Sequence, residues 1–182
     1  MGRSSKEQAD ANHQRIVTAA GNLFRSRGYD AVGIADVMKA AGMTQGGFYK
    51  HFVSKEALAA EAWKQGFAFS SAIWRRKEKD SPAADIIDYY LAPKPPEYRC
   101  PMVAHGEEVA RMNEDCALRH VYGEGAEGLY DTFMDAAKGS MTKDRARLLF
   151  AAMVGANMLS RAAGDTEWIA ALKKSVKTAA AE

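Results

Sequence analysis

The residues best placed to do chemistry lie between positions 34 and 52. The run Thr44-Gln45-Gly46-Gly47 is small and polar, and it follows the minimal turn Ala41-Gly42-Met43. Such an end can approach a DNA major groove closely. The Gln45 amide would read a base edge, and the leading backbone amides would face phosphate. Tyr49, Lys50 and His51 follow as donors of the kind that contacts a phosphate backbone. Spacing alone fits an ordinary corner between two helices equally well.

A second group of reactive side chains lies further on. Cys100 precedes Pro101, which holds it extended and suits the first turn of a helix, so Cys100 is expected at an N-cap. A thiol there, beside Arg99, is favoured as thiolate and so open to oxidants and electrophiles, while a small, partly buried cysteine without chemistry is the other and more ordinary reading. Paired with His105, it would alternatively serve a cysteine-dependent enzyme, but no orienting third group or oxyanion site accompanies the pair. Cys100, His105, Cys116 and His120 are zinc-type ligands, yet their spacing matches no compact zinc module. No metal and no cofactor is expected.

The elements that must position these residues are all helical. Ile16, Val17, Ala20, Leu23 and Phe24 form one face of a helix that Gly28 stops after two basic residues. A short helix covers about 34–41, and Gly42 supplies the positive φ of the turn. Thr44 caps a third helix reaching about Phe52, with Val37, Met43, Phe48 and Phe52 filling the wedge between the two. Ser54 caps a long helix carrying Leu58, Ala62, Trp63, Phe67, Ser70, Ile73 and Trp74. Ser81 and Pro82, after Asp80, start the next, and Pro93-Lys94-Pro95-Pro96 is a loop. Further helices run over about 101–112, 115–137, 142–163 and 166–178. The fold class is all-α with about nine helices.

Composition agrees with a folded chain of one large or two small domains. Of 182 residues, 47% are hydrophobic and 26% charged, which argues against disorder. No apolar run approaches the ~18 residues of a membrane span, and no secretory signal is present, so no membrane association is expected. Two cysteines form no disulfide framework, which points to a reducing cytoplasm. Residues 1–58 carry 8 Lys and Arg against 5 Asp and Glu, whereas residues 59–182 carry 17 against 18. The basic excess sits on the first third, where an anionic partner would bind.

The run from Arg15 to Trp63 contains Gly28-Tyr29, Ala40-Ala41-Gly42-Met43, Gly46-Gly47-Phe48-Tyr49-Lys50-His51-Phe52 and Ser54-Lys55-Glu56-Ala57-Leu58. It resembles the DNA-binding domain of the tetracycline-repressor (TetR-like) family. The resemblance implies an N-terminal three-helix helix-turn-helix domain over 1–53 and a larger C-terminal effector-binding and dimerisation domain over 54–182. It implies a transcriptional regulator, usually a repressor, that binds a palindromic operator in double-stranded DNA as a homodimer and is released by a small-molecule inducer. By position, Thr44, Gln45, Gly46 and Gly47 would face the major groove, and Tyr49, His51 and Lys55 would hold phosphates, with Lys50 beside them. Three departures stand out: Val32-Gly33 replace the family's usual hydroxyl residues, Met38 replaces a small residue, and two glycines cost roughly 1 kcal/mol each in helix propensity.

Two further assignments concern the rear of the chain. Effector-pocket walls are expected from Trp63, Phe67, Tyr89, Cys100, Met102, His105, Val109, Met112, Met153 and Asn157, since aromatics and methionines line adaptable apolar pockets. The same side chains also suit a helical core. Pairing is expected through Leu149, Ala152, Met153, Ala156 and Ser160 on one helix and Trp168, Ile169, Leu172 and Val176 on the next. The alternative to a regulator is a cysteine-dependent enzyme, or a helical partner-binding module with a vestigial DNA-binding domain.

Overall fold

The computed structural model describes residues 2–76, 82–164 and 166–181, with side chains from Lys6 onward. Eight α-helices run through the described residues: α1 (Gly2–Arg27), α2 (Ile34–Ala40), α3 (Lys55–Arg75), α4 (Pro82–Leu91), α5 (Pro101–Ala110), α6 (Ala117–Ala136), α7 (Lys143–Ala163) and α8 (Glu167–Ala181). Two 3-10 helices, Gln45–Lys50 and Pro96–Tyr98, complete the set, and no strand occurs among the described residues. The all-α reading holds. The cap expected at Ser81, after Asp80, lies outside the described residues. No described helix is long and apolar enough to cross a membrane.

Local signals act where expected. Gly28 takes φ +90° and its N–H donates to Phe24 O at 2.9 Å, ending α1. The Ser54 hydroxyl accepts from the Ala57 N–H at 3.0 Å, and the Thr142 hydroxyl from the Arg145 N–H at 3.3 Å, so both long helices start on side-chain caps. Each cap is worth roughly 1 kcal/mol.

By packing, the chain divides into two compact units. The first comprises Met1–Gly66 and Pro95–Glu124, the second Phe67–Lys94 and Gly125–Glu182. In the first, Ile16, Val17, Ala20 and Phe24 of α1 are buried with Val37, Phe48, Phe52, Leu58, Trp63, Val109 and Leu118. In the second, Trp74, Ile86, Ile87, Leu129, Phe133, Met153 and Ile169 are buried. There Gly125 is needed for close packing, since a Cβ would fall 2.3 Å from the Phe67 ring.

Candidate nucleic-acid interface

The reading segment is held at both ends by the core. Gly42 takes φ +71°, the conformation the turn required, and the Met43 N–H donates to Met38 O at 2.8 Å. From α1, Arg15 Nη2 donates to Ala41 O at 2.6 Å, locking the front of the turn. Phe48 is completely buried and Phe52 nearly so, which fixes the rear. Burying each phenylalanine contributes about 1.5–3 kcal/mol toward seating the segment. Between these anchors, Thr44, Gln45, Gly46, Tyr49 and Lys50 are exposed.

The segment differs from expectation in its geometry. Gln45–Lys50 is a 3-10 helix, not an α-helix reaching Phe52. Two glycines give the α-conformation little intrinsic support, and a six-residue piece pinned by Phe48 takes the tighter i to i+3 pattern. The Gly47 N–H accordingly donates to Thr44 O at 3.0 Å, and the His51 N–H to Phe48 O at 2.9 Å. Thr44 is the N-cap residue, but its side chain makes no capping bond, contrary to the expected cap.

The glycines divide their roles. A Cβ on Gly47 would lie 3.7 Å from Met38 Cε, an ordinary van der Waals contact, so Gly47 packs beside Met38 without being required there. A Cβ on Gly46 would meet nothing within 4 Å. Gly46→Ala should therefore raise thermal stability, by up to about 1 kcal/mol through the unfolded chain, while weakening DNA binding. Denaturation and fluorescence anisotropy on one preparation check the opposite signs. Stronger binding by the variant would place Gly46 away from DNA.

The expected phosphate holders are less free. Lys55 Nζ stands 4.2 Å above the Tyr29 ring, a cation–π seat. Burial, with Glu56 and Asp30 adding to it, pushes the Tyr29 phenol up, so the ring under Lys55 stays neutral. His51 is half-buried at the end of the 3-10 helix. At the start of α2, where Val32 and Gly33 stand, the Asp36 carboxylate accepts from the Gly33 N–H at 2.9 Å, but no side chain at the N-cap accepts from the first-turn amides.

Residues 16–62 match the family model described as bacterial regulatory proteins, tetR family. The HTH-type transcriptional regulator AcrR of Shigella flexneri is 36% identical over 64 residues, 35% of this chain and 30% of that protein. The A-factor receptor protein of Streptomyces griseus is 43% identical over 73 residues, 40% of this chain and 25% of its own. A TetR transcriptional regulator from Chloroflexus aurantiacus superposes with a TM-score of 0.75 at 25% identity, covering 94% of this chain and 95% of that one. Over residues 16–62 the chain is TetR-like. The alignments thus span about 30% or less of those two relatives' length. A TetR-family regulator from Cytophaga hutchinsonii, 19% identical with a TM-score of 0.79 over 96% of this chain, shares the fold.

In this TetR-like chain the expected effector residues fall in both units. Trp63, Met102, His105 and Val109 are buried in the first, where Met112 is partly buried and Cys100 half-buried. Phe67 and Met153 are buried in the second, and Tyr89 and Asn157 half-buried, with Asn157 Nδ2 donating to Tyr90 O at 3.0 Å. The Trp63 and His105 rings stack at 4.3 Å, and buried Trp63 Nε1 has no acceptor among the described residues. Cys100 is the N-cap of α5, and Arg25 of α1 interacts with it electrostatically. Burial lowers the Arg25 pKa; Cys100 and Glu97 counter it. Cys116 lies against Glu56 and Met112, and no three His, Cys, Asp or Glu gather into a metal cluster among the described residues.

A polar link missed in the sequence joins α5 to the turn after α1. Glu108 Oε1 accepts from the Tyr29 N–H at 2.6 Å, and Glu108 Oε2 lies 3.8 Å from Nδ1 of buried His105. Burial alone would raise the Glu108 pKa. The His105 imidazole and the Tyr29 and Asp30 amides outweigh it, holding the carboxyl below its ordinary range. A separation of 79 residues leaves no local signal for such a bond.

The expected pairing stripe is corrected in part, since Ala152, Ser160 and Leu172 are only partly buried and Trp168 is exposed. Leu149, Met153 and Ala156 of α7 and Ile169 and Val176 of α8 are buried within their own unit. The adjacent face is the open one: Leu148, Met158 and Leu159 are 69%, 59% and 40% exposed, and Trp168 is 51% exposed. Positions 148, 151, 155, 158 and 162 share one helical stripe, and a Cβ on Gly155 would meet nothing within 4 Å.

Proposed function

We propose that this TetR-like chain is a ligand-responsive transcriptional regulator: a cytoplasmic homodimer that represses from a palindromic operator in double-stranded DNA and is released by a small-molecule or electrophile inducer. Residues 1–53 carry DNA recognition and 54–182 carry effector binding and pairing. The observation that carries the reading is the exposed edge Thr44-Gln45-Gly46, clamped by Arg15 at its front and Phe48 and Phe52 behind. Gly47 packs behind that edge, and Tyr49, Lys50, His51 and Lys55 supply phosphate contacts. Relatives named as transcriptional regulators, not enzymes, support it. A relative named as a receptor supports effector control.

Among the expected effector residues, the unsatisfied Trp63 indole N–H is one donor for the inducer. Cys100, at the N-cap of α5 with Arg25 nearby, is the seat of the electrophile response.

The experiment separates reading from holding. Gln45→Ala should relax preference at one base pair per half-site, costing about 1–3 kcal/mol on the operator and little on random DNA. Lys55→Ala should weaken both alike and reduce the salt slope by about 0.9 for each phosphate no longer neutralised. Duplexes recovered by the wild type from a random library serve as probes. Unchanged base preference in Gln45→Ala removes it from the reading set.

A further inference from the structure

The rear of the reading segment carries a histidine whose neighbours the DNA-binding assignments do not use. His51 closes the 3-10 helix, and the ring of His13, from α1, lies 6.1 Å from it at 56°. His13 is fixed in two ways. Its ring stacks on Phe52 at 4.4 Å and 25°, and its Nε2 shares a 2.7 Å hydrogen bond with Glu61 Oε1 of α3. Arg15, two residues on, already clamps the opposite end of the segment at Ala41. Thus α1 grips the segment at both ends, with a side-chain pair of no evident use at the rear.

Stability does not account for that pair. Its side chains are 33% and 46% exposed, and exposed ion pairs contribute between nothing and about one hydrogen bond's worth. Its place does account for it. Phe52 and His51 are adjacent in the chain, so the ring stacked on Phe52 bounds the space in which the His51 imidazole turns. Lys50 and Tyr49, before it, are exposed.

We propose that His13, held by Glu61, is a positioning residue for DNA binding: it fixes the His51 imidazole in the orientation that donates to a backbone phosphate. Glu61 acts only as the acceptor that orients the His13 ring, so a neutral acceptor of the same shape serves equally. The proposal rests on the DNA-binding reading of His51 and adds residues from α1 and α3 to it.

The test is a double-mutant cycle on a short random-sequence duplex, because a phosphate contact is independent of sequence. His13→Ala should weaken binding about fivefold, the scale of one net hydrogen bond, with the melting temperature nearly unchanged. His51→Ala should lose at least as much, and the double variant no more than His51→Ala alone. Glu61→Ala should match His13→Ala, and Glu61→Gln should restore binding to within about twofold, since its carbonyl still accepts from Nε2–H. Losses that multiply in the double variant, or Glu61→Gln binding as weakly as Glu61→Ala, would overturn the positioning role. A wild type without affinity for any duplex would overturn the DNA reading and this inference together.

Discussion

Met158→Glu combined with Trp168→Glu is expected to give folded monomers whose operator affinity falls by about two to four orders of magnitude. The two side chains are 59% and 51% exposed, and Met158 shares a face of α7 with exposed Leu148 and Leu159, apolar area that single soluble domains rarely leave to water. Small residues at 151, 152 and 155 would let a second helix pair approach closely. Losing the partner costs the effective concentration that tethers the second half-site, which sets the expected range. Sedimentation velocity and operator titration read both effects. Near-native melting is part of the expectation, because neither residue enters the core. Val176→Glu is the contrast: Val176 is buried within its own unit, so that variant should lose the fold. Dimers that persist in the double variant would place the pairing surface elsewhere.

Glu108→Ala should destabilise the protein by about 2–3 kcal/mol, through amides and an imidazole that lose a charged acceptor. The carboxylate takes the Tyr29 N–H at 2.6 Å and faces buried His105. Its pKa lies below the ordinary value in the folded state. The unfolded chain therefore binds the proton more readily. The stabilisation is complete above the unfolded pKa and is lost as pH falls through the folded one. Wild type should lose stability across that acidic range by more than Glu108→Ala, and the two should converge at its lower end. Denaturant titrations at neutral and acidic pH check this. Equal pH dependence in both proteins would mean that another carboxyl carries the acid sensitivity.

The front of the chain was legible because its signals are local. The stripe Ile16, Val17, Ala20 and Phe24, the turn glycine at 42 and the cap at Ser54 act within one or two turns, and each does in the structure what its type requires. The 3-10 geometry of 45–50 was not legible, since a polar start followed by Phe48 and Phe52 carries the same pattern as a short α-helix. On α7, Leu148 and Leu149, like Met158 beside Met153, put apolar side chains on two neighbouring faces. Periodicity finds the stripe but gives no reason to choose which one the chain buries itself. Lys55 over Tyr29, Arg25 beside Cys100 and His13 against Phe52 are long-range pairs, set by packing and not by spacing.

The central claim is that Thr44, Gln45 and Gly46 read DNA from two copies of this chain. Selection of duplexes from a random library by the wild-type protein, followed by hydroxyl-radical footprinting of the winners, addresses it most directly. The account predicts an enriched palindrome with two protected half-sites about one helical turn apart, ~34–36 Å, and loss of the enriched base preference with Gln45→Ala. A pool with no enriched sequence, or protection of a single unrepeated site by a monomer, would contradict it.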